Sequence, residues 1–148
     1  MRAAIPTIIT QISKANKKIK LGSLYPRRDF TYVMDTVNGF VLAMRNKKCI
    51  GETINLGTGY DFSIGETLKN IEKLINKKIK VQTDKSRIRP KKSEVTRLLS
   101  SNAKAKKILK WKPDFIGKKG FRMGLKHTID WFQNPENLKH YKYNIYNF

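Results

Sequence analysis

Thr53-Ile54-Asn55-Leu56-Gly57-Thr58-Gly59 leads through Tyr60-Asp61-Phe62 into Ser63-Ile64-Gly65-Glu66, and this stretch decides the class of fold. Residues 53–56 read as a short strand, closed by the flexible Gly57-Thr58-Gly59. Ser63 and Glu66 stand three apart ahead of Ile64, Leu68, Ile71 and Ile75, the spacing of a capping box in front of a helix with one apolar stripe. A strand that turns into a helix is the building unit of an α/β or α+β domain.

The pattern continues on both sides. Toward the amino terminus, Phe30-Thr31-Tyr32-Val33 is β-branched and aromatic and predicts a strand. Asp35 then predicts an N-cap, with Val37, Phe40, Val41 and Met44 on one apolar helical face. Ile19-Lys20-Leu21 is a short alternating strand, followed by a turn over 22–26. Ala4, Ile5, Ile8, Ile9 and Ile12 recur at three and four and predict a helix over about 3–15. Toward the carboxy terminus, Ile79-Lys80-Val81 predicts a strand, and a polar connection over 83–94 carries Arg87, Arg89 and Pro90. A short helix over 102–109 ends before Trp111-Lys112-Pro113. A last helix over about 117–133 turns Phe121, Leu125, Ile129 and Phe132 inward, and Asn134-Pro135 stops it. The expectation is one small mixed α/β domain over residues 1–148, long enough for a single hydrophobic core.

Bulk properties narrow the class. No apolar run approaches the roughly 20 residues of a membrane span, and Gln11, Lys14 and Lys17 interrupt the amino-terminal apolar residues, which makes a poor signal peptide. One cysteine, Cys49, forms no internal disulfide, and CxxC or Cys/His clusters are absent, which points to a reduced, cytoplasmic protein without a metal site. The net charge is +21, with Lys outnumbering Arg 24 to 8. Pairs such as Lys17-Lys18, Lys47-Lys48, Lys77-Lys78 and Lys118-Lys119 are spread over every segment and fall at element ends, as solvated charge does. The alternative is a basic nucleic-acid- or polyanion-binding domain, which charge alone favours.

Catalytic chemistry is not apparent. Gly57-Thr58-Gly59 lacks the spacing of a dinucleotide-binding turn, and there is no GxSxG or His/carboxylate pair. His127 falls mid-helix and His140 in the polar tail, where each reads as packing or surface. No residue presents itself by spacing as nucleophile, acid or base.

An ordered string of motifs remains. Leu21-Gly22 is followed by Arg28-Asp29-Phe30-x-Tyr32-Val33-x-Asp35, Asn55-Leu56-Gly57-Thr58-Gly59, Ser63-Ile64, Arg89-Pro90 with Glu94, and Ala105-Lys106-Lys107-Ile108-Leu109-Lys110-Trp111-Lys112-Pro113. In this order the motifs resemble the carboxy-terminal half of the extended short-chain dehydrogenase/reductase family, the NAD-dependent epimerases and dehydratases of nucleotide sugars. Residues 2–9 and 134–138 resemble the 4,6-dehydratase branch of the legionaminic acid type. The resemblance implies a small α/β substrate-binding domain with the Rossmann dinucleotide-binding part largely absent. It also implies a nucleotide-diphosphate sugar as partner, homodimers in the family, and NAD held by a part not represented here, such as a separately encoded Rossmann half.

Roles follow by position. Arg28 matches the arginine of the RDF/RDW motif that contacts the sugar-nucleotide diphosphate, and Arg89 matches an arginine that grips it from the other side. A planar guanidinium binds phosphate oxygens bidentately, so the residue type suits the task. The alternatives are an ion pair of Arg28 with Asp29 or Asp35, and a solvated loop charge at Arg89. Ser63 matches a position near the nucleotide, a role compatible with capping. Ala4, Ile19 and Leu21 match positions lining the nucleoside pocket, or are plain core. The family's GxxGxxG turn and Tyr-x-x-x-Lys pair lie upstream of the segment present, and Tyr25, Tyr32, Tyr60 and Tyr143 have no lysine four residues on. No catalytic residue can be carried over, and the chain alone is expected to be inert.

Overall fold

A computed structural model describes residues 3–14, 18–90, 92–139 and 141. Lys17, His140 and Tyr143, named above, and position 2 of the stretch 2–9 lie outside the described residues. The architecture is mixed α/β, and its contacts divide the chain into two compact units. The first comprises Met1–Pro26, Ser63–Thr96 and Leu125–Phe148; the second comprises Arg27–Phe62 and Arg97–Gly124.

In the first unit, helix α1 (Ala4–Lys14) buries Ile8, Ile9 and Ile12, as their spacing predicts. Strand β1 (Lys18–Leu21) pairs in parallel with β4 (Lys80–Thr83), with Ile19 opposite Val81 and Leu21 opposite Thr83. Gln11 ties α1 to β1: its side-chain amide donates to the Lys20 carbonyl (3.0 Å) and accepts from the Lys20 amide (2.8 Å). Helix α3 (Ile64–Ile75) begins with the predicted capping box, and Leu68 and Ile71 fill the core. The second half of helix α4 (Gly117–Gln133) adds Leu125, Ile129 and Phe132, all buried. The short helix α5 (Pro135–Leu138) follows where Asn134-Pro135 breaks the chain.

In the second unit, strand β2 (Arg27–Asp29) lies between β3 (Asp61–Ser63) and β5 (Arg97–Leu98), with Arg27 opposite Arg97. The strand expected over 30–33 is therefore placed three residues too late. Phe30 and Tyr32 instead pack their rings, Phe30 on Phe121 (centroids 5.7 Å apart) and Tyr32 on Phe115 (4.3 Å). In helix α2 (Val33–Met44) the N-cap position falls to Tyr32, not Asp35, and no side chain caps it. Asp35 is 2% exposed inside the first turn, where its carboxylate accepts from the amides of Asp114 (2.8 Å) and Phe115 (3.1 Å). A π-helical turn (Ala105–Leu109) precedes Trp111, whose indole is fully buried and donates to the Asp35 carbonyl (2.9 Å). Around Ala105, Leu109 and Trp111 pack Leu42, Ala43, Cys49, Ile54, Leu56 and Ile108.

The inward face of α2 is not the expected one. Asp35, Gly39, Leu42 and Ala43 face the core, and Gly39 allows the helix against Leu56, whose Cδ1 would lie 2.4 Å from an added Cβ. Val37, Phe40, Val41 and Met44 face outward instead, Phe40 at 63% and Met44 at 87% exposure. A helix apolar on both faces is normally buried on both. Residues 53–56, expected as a strand, alternate in burial as a strand would, yet they form no strand and belong to no sheet. Among the described residues no backbone hydrogen bond reaches them. Only the Thr31 hydroxyl touches the Leu56 carbonyl, at 3.5 Å.

Candidate functional site

Strand β2 carries the Arg28-Asp29 pair. Asp29 organises its surroundings: Oδ1 accepts from the Thr58 amide (2.9 Å) and hydroxyl (2.7 Å), and Oδ2 accepts from the amides of Gly59 (2.9 Å) and Ser100 (3.3 Å). One carboxylate thus holds the glycine loop and the segment after β5 to β2. Gly57 is required there, because a Cβ would sit 2.3 Å from the Ser100 Cβ. The loop amides of Thr58 and Gly59 are consumed by Asp29, so this loop does not fit the pyrophosphate of a dinucleotide.

Arg28 is half-buried, and its Nη1 donates to the Arg27 carbonyl at 2.7 Å. The carboxylates of Asp29 and Asp35, close to it in sequence, accept the hydrogen bonds just described. Beside it, Arg27 donates through Nε to Asp61 (2.6 Å) and through Nη2 to the Asp61 carbonyl (3.1 Å). Arg97 donates through Nε to the other oxygen of the same carboxylate. The two guanidinium groups hold the Asp61 carboxyl below its ordinary acidity range, with the Arg97 hydrogen bond the largest cause and that from Arg27 next.

The remaining candidates belong to the first unit. Ile19 and Leu21 are buried in its core, and the Leu21 carbonyl accepts from the Asp84 amide (2.8 Å). Ala4 is half-buried at the start of α1. Ser63 Oγ accepts from the Glu66 amide (3.0 Å) while Glu66 accepts from the Ser63 amide (2.7 Å). Arg89 is exposed and has no hydrogen-bond or ion-pair partner among the described residues. Arg87, two residues earlier, pairs through Nε with Asp84 (3.0 Å), and its carbonyl abuts Gly22 so closely that a Cβ there would lie 2.4 Å from it. Asp84 is likewise held below its usual range, chiefly by the Ser86 hydroxyl and then by Arg87.

Arg27, Asp61 and Arg97 did not stand out in the sequence. Asp61 and Arg97 are 36 residues apart, and a lone carboxylate in so basic a chain carries no spacing signal. His127 is exposed on α4, and no group of three or more His, Cys, Asp or Glu able to hold a metal occurs among the described residues.

A family model described as GDP-mannose 4,6 dehydratase matches residues 1–124. UDP-glucuronate 4-epimerase of Thermodesulfobacterium geofontis is 35% identical over 126 residues, which make up 83% of this chain and 35% of that enzyme. Human dTDP-D-glucose 4,6-dehydratase is 27% identical over 140 residues, 93% of this chain and 38% of the enzyme. The crystal structure of UDP-glucuronic acid 4-epimerase from Bacillus cereus, in complex with UDP-glucuronic acid and NAD, superposes with a TM-score of 0.75 at 26% identity, over 88% of this chain and 40% of that one. This chain therefore spans well under half the length of these relatives. Family match, sequence identity and shared fold agree with the motif order, and the chain belongs to the GDP-mannose 4,6 dehydratase family, among the NAD-dependent nucleotide-sugar epimerases and dehydratases of the extended short-chain dehydrogenase/reductase type.

Proposed function

We propose that this chain is the substrate-side part of an NAD-dependent nucleotide-sugar 4,6-dehydratase or epimerase. It binds the diphosphate of a nucleoside-diphosphate hexose through Arg28 and Arg89. It works against a dinucleotide-binding portion that supplies NAD and the catalytic residues. Turnover does not come from these 148 residues alone.

The unfinished surface of the second unit carries this reading. Residues 53–56 belong to no sheet and receive no main-chain hydrogen bond among the described residues, next to a helix whose outer face exposes Phe40 and Met44. An open edge beside an apolar helix face is the cross-section of a larger sheet. The relatives supply what such a section lacks, because more than half of their length lies outside the match. Covering Phe40 and Met44 would stabilise the assembly by roughly 1.5–3 kcal/mol for each side chain.

The test is reconstitution. The chain is mixed with the amino-terminal portion of the T. geofontis relative, and NAD-dependent conversion of UDP-, GDP- and dTDP-hexoses is followed. Activity only in the mixture, lost with Phe40→Asp/Met44→Asp, is the expected result. Titration of the same sugars with wild type, Arg28→Ala and Arg89→Ala tests the clamp. Equal binding by all three removes the diphosphate assignment, and salt-sensitive binding to any polyanion without preference for sugar nucleotides favours the basic-domain alternative.

A further inference from the structure

Arg97 has an arrangement that the diphosphate clamp does not use. Its Nε is anchored on Asp61, a carboxylate with 6% of its side-chain surface exposed, while Arg97 itself is 61% exposed. The terminal nitrogens of Arg97 have no partner among the described residues. Arg27 lies directly opposite on β2, so the two guanidinium groups share one face of the sheet and one carboxylate. Side chains alternate along a strand, which puts Arg28 on the other face. Two guanidinium groups thus meet on the single carboxylate of Asp61.

A guanidinium held at its inner nitrogen by a buried carboxylate has lost most of its rotational freedom before any ligand arrives. What it offers outward is a fixed pair of N–H donors, matched in spacing to two oxygens of a phosphate. Lysine cannot present that pair. We propose that Arg97, oriented by Asp61 and flanked by Arg27, is an anion-binding fork for a diphosphate group, distinct from the positions Arg28 and Arg89. The inference stands on the Arg27–Asp61–Arg97 geometry alone and does not require the clamp.

The experiment titrates the full 148-residue chain with inorganic pyrophosphate and, separately, with UDP, at fixed ionic strength. The variants are Arg97→Lys, Asp61→Asn, Arg28→Ala and Arg89→Ala. The fork predicts that Arg97→Lys weakens binding by about tenfold or more although the net charge is unchanged. It predicts the same direction for Asp61→Asn. General attraction to a chain of net charge +21 predicts the opposite sign there, because that substitution makes the protein more positive. Equal affinity of Arg97→Lys and wild type, tighter binding by Asp61→Asn, or no saturable binding by wild type each overturn the fork. Arg97→Lys keeps the inference testable where Asp61→Asn disturbs folding. Loss in Arg28→Ala and Arg89→Ala with Arg97→Lys unaffected leaves the clamp and refutes the fork, and the reverse result does the converse. Loss for pyrophosphate and UDP alike assigns recognition to the diphosphate itself. Loss for UDP alone assigns it to the diphosphate of a nucleotide.

Discussion

Replacing Asp35 by alanine should remove a buried polar fastening of the second unit. Two backbone amides, Asp114 at 2.8 Å and Phe115 at 3.1 Å, end on its carboxylate, which is 2% exposed. Hydrogen bonds to a charged acceptor contribute roughly 1.5–3 kcal/mol each, and partly buried amides left without an acceptor add to the loss. Both donors retain some access to water, so we expect about 3 kcal/mol of destabilisation. The bond from the Trp111 indole to the Asp35 carbonyl is a main-chain contact and survives the substitution. Urea unfolding followed by Trp111 fluorescence, in a Trp131→Phe background, reads this unit directly. With a slope of about 2 kcal/mol per molar urea, the midpoint should fall by about 1.5 M. Asp130→Ala, which removes an exposed pair with Lys126 four residues away, is the control and should cost under about 1 kcal/mol. A midpoint for Asp35→Ala equal to that of Asp130→Ala would mean that the two amides do not depend on the Asp35 carboxylate.

Two further outcomes follow from the same geometry. Asp61 and Asp84 are held below the ordinary aspartate value of 3.8, so between their folded and unfolded values the unfolded chain binds the extra protons. Their stabilisation is complete at neutral pH and lost as pH falls below about 4. Acid titration of stability should show a shallower loss in Asp61→Asn than in wild type, and parallel curves would contradict the assignment. Gly22→Ala drives a Cβ to 2.4 Å from the Arg87 carbonyl oxygen, which is main chain and cannot swing away; a loss of about 1–3 kcal/mol in thermal or urea unfolding is expected.

Local chemistry was legible and long-range chemistry was not. The Ser63–Glu66 capping box needs only residues three apart, and the stripe of α4 only its own periodicity, so both appear where predicted. Asp35 was read as a cap because its neighbours allow one. Its actual partners are about 80 positions away, at Asp114 and Phe115. Strand β2 forms at Arg27–Asp29 because Asp61 and Arg97 meet it there, overriding the β-branched and aromatic signal at 30–33. Periodicity does not pick the inward face of α2, because apolar side chains stand both on the side of Leu42 and Ala43 and on that of Phe40 and Met44. Of the candidate site, the sequence yields Arg28 and Arg89 by motif but not Arg27 or Arg97. The carboxylate that orients Arg97 is visible only in three dimensions.

The interleaved order of the two units has a consequence for how the chain acquires its structure. The second unit is assembled from two segments with 63–96 of the first between them, and its parallel pairing of Arg27 with Arg97 closes a loop of about 70 residues. Closing such a loop costs roughly 4 kcal/mol of chain entropy before any contact offsets it. Helices α1 and α3 can form while the polypeptide is still leaving the ribosome, but β2 waits for β5, and Asp35 waits for Asp114. The first unit finishes no earlier, because β1 waits for β4 about 60 residues on and its core takes Leu125, Ile129 and Phe132 from α4. No single cut in the chain yields either unit as one continuous fragment.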